Sequence, residues 1–405
     1  MTSTNDLGVP TGVAATALDP AYQRDPDPVH DALREREPVH HDQVLRRWLL
    51  TRHDDVDTLL RDRSLSADPR NGAPETFMAA FVDPNGREPS ILLMDPPEHT
   101  RLRGLISKAF TPRAIEQMAP RVQQIAADLL DAVAGSDGFD LISAFAGPLP
   151  TIVIAEMLGV DSGDRLDFKR WSDDGVMAFD PLLSAELRER VAASQAELDA
   201  YFRRAIADRR ATPRADLISS MIAADVDGVR MTDDELVTMC ALLLAAGNVT
   251  TTDLIGNGTL ALLRNPDELR KLREDPSLIK NAVEEMLRYD SPVTETARIP
   301  LDGTEISGCP ISRCESVVPV LAAANHDPDV YPDPHRFDIT REDTHHHSFG
   351  GGVHFCLGAP LARLEAQIAL NALVHRFPRL RMGDAPLEYR RIPGFRGLQR
   401  LAVLI

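Results

Sequence analysis

Cysteine is scarce in this chain, with 4 among 405 residues. So few thiols exclude a disulfide-stapled fold and are typical of a protein from a reducing compartment. Two of them, Cys309 and Cys314, lack the further ligands that a zinc site needs, and we interpret them as strand-edge residues. The other two, Cys240 and Cys356, have to be judged by their local surroundings.

Positive charge is also in short supply. The 44 Lys and Arg residues face 62 Asp and Glu residues, so the formal net charge is -18 and the pI is near 5.1. Binding to nucleic-acid phosphates needs an excess of Lys and Arg, which argues against a nucleic-acid partner. The overall deficit still leaves room for a local basic patch that faces an acidic protein.

Long uninterrupted hydrophobic runs are missing as well. The most apolar stretch, residues 141–160, contains Pro148, Pro150 and Glu156, whereas a membrane helix needs ~20 mostly apolar residues. The first basic residue is Arg24, so the sequence shows no charged region of a signal peptide. We therefore expect a cytoplasmic protein with no membrane partner, and we expect it to be a monomer.

Linkers, fixed-period repeats and low-complexity blocks are absent too, which favours a single domain over residues 1–405 with residues 1–20 as a loose N-terminal arm. Apolar residues recur at helical spacing over residues 99–106, 115–134, 140–160, 184–209, 233–263 and 279–289. A strand near residues 48–51, strand-like pieces over 293–321 and a polar meander over 325–347 complete the pattern, before a last helix from near Cys356 to Phe377. The fold class is therefore predicted to be mainly α, with a large helical body and a smaller β-rich region.

The most informative segment is residues 349–358, which read FGGGVHFCLG. Three consecutive glycines allow backbone conformations closed to other residues and let the backbone approach a flat ligand. Cys356 follows just before a helix, whose N-terminal amides and dipole favour the thiolate that binds iron. An ordinary tight turn with Cys356 as a small core residue is the alternative. A phosphate loop is not indicated, because no GKS or GKT follows.

This segment resembles the haem-binding loop of the cytochrome P450 family, whose pattern is Phe-x-x-Gly-x-x-x-Cys-x-Gly. The resemblance extends from the strand at Trp48 to the C-terminus. It implies the cytochrome P450 fold and haem b as cofactor, with Cys356 as the iron ligand and Phe349 packed beside the thiolate. It also implies that Gly350, together with Ala246 and Gly247 on the helix over residues 233–263, lies against the haem.

Two further sets of residues match the family. Glu285 and Arg288 are three apart on one helical face and can pair; as a bare pattern this indicates no more than a surface ion pair. The resemblance implies a buried structural triad whose third member is Arg336. It also implies that four residues bind the haem propionates, namely His99, Arg103, Arg298 and His354.

Residues 241–251, which read ALLLAAGNVTT, resemble the family's oxygen-binding helix. Gly247 and the threonines can loosen the backbone hydrogen bonds of a helix and open a groove, although an ordinary buried helix is the alternative. The resemblance implies that Thr250 assists oxygen activation. The family usually has an acid where this chain has Val249, which cannot relay a proton. Asn248 and Thr251 are the candidates to substitute, with Asp253 one turn beyond Thr250.

The resemblance implies a monooxygenase that uses O₂ as co-substrate and inserts one oxygen atom into a C–H or C=C bond. The chain has no room for a flavin or iron–sulfur domain, so electrons are expected from a separate ferredoxin and ferredoxin reductase. Because ferredoxins are typically acidic, we expect a basic docking patch from Arg101, Lys108, Arg113 and Arg363.

By analogy with the family, the substrate pocket is expected to be apolar, with lining residues Phe77, Met78, Phe81, Leu92, Leu242, Leu243, Ala246, Val293, Thr294 and Phe395. Thr294 and Glu295 are candidate polar contacts. A medium-sized lipophilic small molecule such as a terpenoid, steroid, macrolide or aromatic compound would suit such a pocket. The alternatives are a peroxide-driven oxygenase of the same fold, a haem-binding sensor or carrier without oxidation, and a structural helical protein.

Overall fold

The structure is a computed structural model that describes residues 4, 5, 7–83, 86, 88–160, 162–180, 182–226 and 228–405. It is 55% helical, which confirms the predicted mainly-α class. In chain order its α-helices are α1 (Pro20–Arg24), α2 (Asp27–Arg36), α3 (His53–Arg61), α4 (Glu98–Ile106), α5 (Pro112–Glu116), α6 (Ala119–Val133), α7 (Pro148–Leu158), α8 (Arg165–Met177), α9 (Ala185–Ala211), α10 (Leu217–Ala223), α11 (Asp233–Arg264), α12 (Pro266–Glu274), α13 (Ile279–Tyr289), α14 (Leu321–Ala324) and α15 (Ala359–Arg376).

The strands are short and most of them lie in the last third of the chain. They are β1 (Val39–Asp42), β2 (Arg47–Leu50), β3 (Leu65–Ser66), β4 (Gly138–Asp140), β5 (Ile299–Pro300), β6 (Thr304–Ile306), β7 (Cys309–Ile311), β8 (Val317–Pro319), β9 (Arg381–Met382), β10 (Glu388–Tyr389), β11 (Leu398–Arg400) and β12 (Ala402–Leu404). Short 3₁₀ turns include Phe77–Phe81, Ile91–Leu93, Ser107–Phe110 and Gly352–His354, and a π turn spans Ile142–Ala146.

Several helices begin where a side chain satisfies the first free backbone N–H groups. The hydroxyl of Ser184 accepts from the backbone N–H of Leu187 at 3.2 Å ahead of α9. Thr232 and Glu235 bond reciprocally at the start of α11: Thr232 Oγ1 accepts from Glu235 N at 3.2 Å, and Glu235 Oε2 accepts from Thr232 N at 2.8 Å. This capping box explains why the long α11 begins here.

The chain divides into two compact units, and neither is a continuous stretch. Unit 1 comprises Met1–Arg87, Gly256–Cys356 and Asp384–Leu401. Its main sheet has the order β1-β2-β8, with β1 and β2 antiparallel and β2 and β8 parallel. Side chains of α3 and α14 cover this sheet in a buried core that includes Leu50, Leu60 and Val317. The pairs β3-β5, β6-β7 and β10-β11 also belong to unit 1.

Unit 2 comprises Glu88–Ile255, Leu357–Gly383 and Ala402–Ile405. It is the more helical of the two: α15 packs against α5 and α6, α8 and α10 against α9, and α6 against α7. Its sheet has the order β4-β12-β9, all antiparallel. The single-domain organisation expected over residues 1–405 stays a prediction.

Three expectations about elements are corrected. The predicted N-terminal arm is not loose from Val9 onwards, because Val9 is fully buried and Asp42 Oδ1 accepts from Gly12 N and Thr11 Oγ1 at 3.1 and 3.0 Å. The helix expected over 115–134 is two helices, α5 and α6, with Pro120 in the first turn of α6. The last helix begins at Ala359 rather than near Cys356.

One helix of the described chain, α11, is long and apolar enough to cross a membrane by length and composition. However, 67% of its most apolar window is buried within the protein. A core helix of a soluble protein passes the same test, so α11 is no clear membrane anchor.

Candidate functional site

The cysteine loop of unit 1 is closed by its own backbone. Cys356 N donates to Phe349 O at 2.9 Å, and Gly350 N donates to His347 O at 2.7 Å. Gly350 and Gly352 have φ of +67° and +62°, a region that favours glycine. The side chain of Cys356 is half-buried. The chain therefore folds back here so that Cys356 lies at the end of a fixed loop.

Glycines of this loop are required for close packing as well as for the backbone conformations expected of them. A Cβ on Gly352 would lie 2.3 Å from the carbonyl oxygen of Leu60, and one on Gly351 would lie 3.0 Å from the Leu60 Cβ. These two glycines therefore permit close packing on α3. At Gly350 the nearest atom to an added Cβ would be the carbonyl oxygen of His354 at 3.9 Å, which is an ordinary van der Waals distance.

Two aromatic rings, those of Phe349 and Phe355, precede Cys356 in the same loop. The rings of Phe349 and Phe355 lie 6.3 Å apart, and Phe349 also contacts the His346 ring at 5.9 Å. Phe349 is half-buried and Phe355 is 42% exposed. The position of the Phe349 ring beside the thiolate stays a prediction.

The predicted ion pair on α13 is present and fully buried. Arg288 donates from Nε to Glu285 Oε2 at 2.7 Å and from Nη2 to Oε1 at 2.9 Å. Its Nη1 donates to the carbonyl oxygens of Asn325 and Pro334 at 3.0 and 2.8 Å. A bidentate pair of this kind is geometrically specific, and it holds the meander against α13.

The third member of the triad is corrected. The side chain of Arg336 is 61% exposed and contacts Asp338 at 3.3 Å, so only its backbone carbonyl takes part, accepting from Arg288. Arg341 lies at Glu285 instead, with Nε 3.3 Å from Oε2. The meander turns between these two positions, and that turn decides which guanidinium faces inward.

A buried polar network between α13, the meander and the cysteine loop was not anticipated. Asn325 Nδ2 donates to Ser291 Oγ at 3.0 Å and to Ser348 Oγ at 2.9 Å, and its Oδ1 accepts from His347 N at 2.8 Å. Ser348 Oγ also donates to Leu287 O at 2.6 Å. Nothing in the spacing of these residues indicates the network, because its members lie up to 61 positions apart.

Two candidate propionate ligands, Arg298 and His354, lie in unit 1. The backbone of Arg298 is fixed by reciprocal hydrogen bonds with Val317, both at 2.8 Å, and the residue is buried. His354 ends the 3₁₀ turn of the cysteine loop and is half-buried. The other two candidates, His99 and Arg103, are one turn apart on α4 of unit 2, with His99 buried and Arg103 half-buried.

The candidate oxygen-binding segment is part of an unbroken α-helix, so the expected loosening at Gly247 does not occur. The hydroxyl of Thr250 donates to the carbonyl of Ala246 at 2.7 Å. Leu242, Ala246 and Thr250 are four apart and form a less buried stripe, with Ala246 exposed although it lies in the middle of a mostly buried helix. This stripe leaves room for a ligand over one face of α11.

Asn248 is not beside Thr250. It is buried on the other side of α11, where its Oδ1 accepts from Thr151 Oγ1 at 2.9 Å. Val249 and Thr251 are also buried. A side chain two positions along a helix faces away by about 200°, so the expectation that Asn248 could act together with Thr250 is corrected.

The predicted pocket residues fall into groups within each unit. In unit 1, Val293 and Phe395 form a β-bridge, and Thr294 N donates to Gly394 O at 2.9 Å. Phe77 and Phe81 contact each other with ring centroids 5.3 Å apart, and Met78 is buried. In unit 2, Leu92 is exposed and Leu243 is buried in the core.

The candidate polar contact Glu295 is already occupied. Its Oε1 accepts from Arg47 Nη1 at 3.0 Å, and Arg47 is fully buried. This makes Glu295 a structural partner rather than a free polar contact.

The residues present fit a haem group. A half-buried cysteine at the end of a fixed loop offers a thiolate, which is a known axial ligand of haem iron. The cationic side chains Arg298 and Arg103 can bind carboxylates. The less buried stripe of Leu242, Ala246 and Thr250 on α11 fits a bulky ligand, because packing within the protein does not cover Ala246 although most of this helix is buried.

The comparisons with known proteins agree. The family model described as "Cytochrome P450" matches residues 48–388. Cytochrome P450 107B1 from Saccharopolyspora erythraea is 43% identical over 400 residues, and the match covers 96% of this chain and 96% of that protein. The 6-deoxyerythronolide B hydroxylase from the same organism is 42% identical over 389 residues, and the match covers 92% of this chain and 94% of that protein.

A solved structure of P450BioI in complex with an acyl carrier protein ligated to hexadec-9Z-enoic acid has a TM-score of 0.89 and 37% identity, with 95% of this chain and 99% of that chain covered. The predicted fold and reaction class are confirmed. The chain therefore belongs to the cytochrome P450 family and is a haem b-dependent monooxygenase of lipophilic substrates, with O₂ as co-substrate.

Proposed function

We propose that Cys356 supplies the thiolate that holds the haem iron, and that the chain inserts one oxygen atom into a C–H or C=C bond of a medium-sized lipophilic molecule. The observation that carries this proposal is the loop closed by the hydrogen bond from Cys356 N to Phe349 O, which fixes the cysteine. When bound, haem supplies the oxygen-activating chemistry, and thiolate donation favours O–O cleavage.

Arg298, His354, His99 and Arg103 are proposed to bind the haem propionates. Arg298 is supported best, because the two hydrogen bonds to Val317 hold its backbone rigidly before any ligand arrives. Charge-assisted hydrogen bonds from guanidinium to carboxylate are short and strong. These residues would bind the propionates and orient the haem, and they would take no part in proton transfer.

Thr250 is proposed to position a water over the haem. Its hydroxyl proton is committed to the carbonyl of Ala246, so its oxygen offers lone pairs that accept a hydrogen bond from water. Val249 cannot hold or deliver a proton, and Asn248 is committed to Thr151. Proton delivery on this face of α11 therefore depends on water, and we expect slow turnover with leakage to peroxide.

The substrate is proposed to contact apolar residues of each unit, which are Val293 and Phe395 in unit 1 and the stripe of Leu242 and Ala246 in unit 2. A terpenoid, steroid, macrolide or aromatic compound suits these contacts. The similarity to 6-deoxyerythronolide B hydroxylase makes the macrolide class the first to screen. The buried Thr294 and the occupied Glu295 leave few polar groups to orient the substrate, so shape is expected to decide which carbon reacts.

Electrons are proposed to come from a ferredoxin and its reductase through a patch on unit 2. Lys108 and Arg113 are exposed on adjacent elements. Arg101, by contrast, pairs with Glu235 and is expected to contribute little. Reversing the charge of Lys108 and Arg113 should raise the apparent KM for an acidic ferredoxin about tenfold at low salt, and less at high salt. The matched control is Lys280→Glu in unit 1, which should change nothing.

The decisive test of the haem assignment is the absorption spectrum of the reduced protein with carbon monoxide. The wild-type chain and Cys309→Ser should both show a Soret band shifted strongly to the red, and Cys356→Ser should lose it. Product formation from a screened substrate, with O₂ and the redox partners present, would then exclude a haem sensor or carrier. A histidine-type spectrum of the well-folded wild-type protein would overturn the ligand assignment.

Val249 supports a second candidate, a peroxide-driven oxygenase of the same fold. A site without a proton donor has less need of proton delivery when the oxidant is hydrogen peroxide, which already carries two protons. Turnover with hydrogen peroxide that exceeds turnover with ferredoxin and reductase would favour this candidate. The reverse ratio would favour the O₂-dependent reaction.

A cytoplasmic location, a monomeric state and a single folding domain are also proposed. Two observations support this proposal. Among the described residues, α11 is the only helix long and apolar enough to cross a membrane, and it is mostly buried. The net charge is strongly negative. Recovery in the soluble cell fraction would support the location. Elution at the monomer mass of 44.5 kDa would support the monomeric state. A single unfolding transition, seen by both circular dichroism and Soret absorbance, would support a single folding domain.

A further inference from the structure

A group of ionisable side chains in unit 1 lies outside the haem-binding residues. Asp27, the first residue of α2, lies between two imidazole rings. Its Oδ1 is 3.1 Å from His326 Nδ1, and its Oδ2 is 3.0 Å from His335 Nδ1. Within the described part of the chain this is the one set of His, Cys, Asp or Glu side chains in which three residues place ligand atoms within 4.8 Å of one another.

The far nitrogens of both rings are also occupied by acceptors. His326 Nε2 is 3.1 Å from the carbonyl oxygen of Tyr289, and His335 Nε2 is 3.0 Å from Asp31 Oδ2. A carbonyl or carboxylate can only accept, and a neutral imidazole has one N–H to give. If each Nε2 donates outward, both Nδ1 lone pairs point at the Asp27 carboxylate. That arrangement is repulsive, and either a bound cation or a second proton on each ring relieves it, so a metal ion and protons compete for the same two nitrogens.

This pattern of outer hydrogen bonds is the one found around metal-binding histidines, whose second nitrogen donates to a carboxylate or a backbone carbonyl and so fixes the tautomer and the ring. The outer groups are themselves held. Arg34 donates to Asp31 Oδ1, and from Nη1 to Ala323 O at 2.8 Å. The two imidazole rings contact each other edge to face, with centroids 5.1 Å apart.

The cluster is closed on one side and open on the other. The side chain of His326 is 6% exposed, whereas those of Asp27 and His335 are 31% and 42% exposed. An ion can therefore enter from solvent beside His335 and keep a water molecule as a fourth ligand.

We propose that Asp27, His326 and His335 form a binding site for a divalent transition-metal ion of the zinc class. Two imidazole nitrogens and one carboxylate oxygen suit Zn²⁺, and also Ni²⁺ and Cu²⁺. Ligands held at about 2.0–2.1 Å by a tetrahedral ion lie roughly 3.3 Å apart. Here one ligand atom from each of the three residues lies within 4.8 Å of the other two, so small side-chain rotations bring them to that spacing. The ion would tie the start of α2 to the meander, and its binding is independent of the haem chemistry.

The test uses the haem-loaded full chain without an affinity tag, because a histidine tag binds the same ions. Zn²⁺ is titrated by calorimetry, and bound zinc is counted by elemental analysis after dialysis. The wild-type chain should bind one Zn²⁺, reversibly with EDTA, and its Tm should rise in saturating Zn²⁺. His335→Gln and Asp27→Asn should each raise the dissociation constant for Zn²⁺ at least tenfold and abolish the rise in Tm.

Two histidine controls separate this site from others. His345→Gln removes an exposed member of the tract at residues 345–347, and His375→Gln removes an exposed histidine on α15. Both should bind zinc as the wild type does. The Soret band and the Tm without metal show whether each variant is folded. The absence of stoichiometric binding, an unchanged affinity in folded His335→Gln, or an equal loss in His345→Gln would overturn the proposal.

Discussion

The guanidinium of Arg341 lies against Glu285, with Nε 3.3 Å from Oε2, although the two residues are 56 positions apart. Glu285 is fully buried and also takes a bidentate bond from Arg288. Arg341 further donates to the carbonyl oxygens of Pro332 and Asp333. This one side chain therefore neutralises a buried carboxylate and closes the meander at the same time.

Arg341→Ala is expected to lower the free energy of unfolding by about 1–3 kcal/mol, because it takes one of two guanidinium groups from the fully buried Glu285 carboxylate and removes the bonds that close the meander. Arg336→Ala, which removes an exposed side chain, should change it by less than about 0.5 kcal/mol. Urea unfolding of the haem-loaded protein, followed at the Soret band, measures both values. Equal effects of the two substitutions would show that the side-chain assignment is wrong.

Gly352→Ala is expected to disturb the cysteine loop more than Gly350→Ala. Both residues have positive φ, so alanine is strained at either position. Only at Gly352 does the added Cβ also collide with a backbone oxygen, at 2.3 Å from Leu60 O. We expect Gly352→Ala to retain less haem after purification, as measured by the ratio of Soret to protein absorbance. A greater loss in Gly350→Ala would contradict this account.

Val249→Glu is expected to reduce leakage to peroxide, because it places an acid where the family usually has one. General acid–base groups contribute about 10²-fold or more to rates, so a gain of about tenfold in the ratio of product to peroxide is a modest expectation. Val249→Gln is the matched control, since it has the same shape without a transferable proton. Thr250→Ala should change the ratio in the opposite direction. If Val249→Gln raised the ratio of product to peroxide as much as Val249→Glu does, proton delivery by the new side chain would be excluded as the cause.

Glu365 on α15 is fully buried, and burial raises the pKa of its carboxyl well above the usual range. The folded protein therefore holds this proton after the unfolded chain has released it. The stability associated with the neutral form is complete below the ordinary pKa near 4.5 and is lost as the pH rises toward the folded pKa.

Glu365→Gln should remove this loss, because glutamine is neutral at every pH. The stability of the variant relative to the wild type should rise by up to about 1.4 kcal/mol per pH unit above pH 5. Urea unfolding at pH 5, 6, 7 and 8 measures this slope, with the exposed Glu388→Gln as control. A flat difference between variant and wild type across this range would show that Glu365 is charged in the folded protein.

The features predicted correctly from the sequence are those that depend on neighbours along the chain. The pair of Glu285 and Arg288 follows from helical spacing, since residues three apart share a face. The helical spans follow from apolar periodicity, and α11 was placed to within a residue at each end. The cysteine loop is recognisable because its glycines and Cys356 all lie within the ten consecutive residues 349–358.

The features missed depend on contacts between distant segments. Arg336 and Arg341 are equally plausible partners of Glu285 in the sequence, and the turn of the meander selects Arg341. Asn325 joins α13 to the cysteine loop through two serines that no motif connects. The spacing of the loop glycines does not indicate that Gly351 and Gly352 pack closely on Leu60.

The sequence by itself determined the class of fold and the family, because periodicity and consecutive motifs are local and survive without coordinates; that Cys356 is the iron ligand stays a proposal. Only the tertiary structure decided which charges meet, that Asn248 faces away from Thr250, and that Asp27 lies between His326 and His335. Those outcomes depend on how far the chain turns between elements, and a buried polar group accepts whichever partner the packing brings within hydrogen-bonding distance.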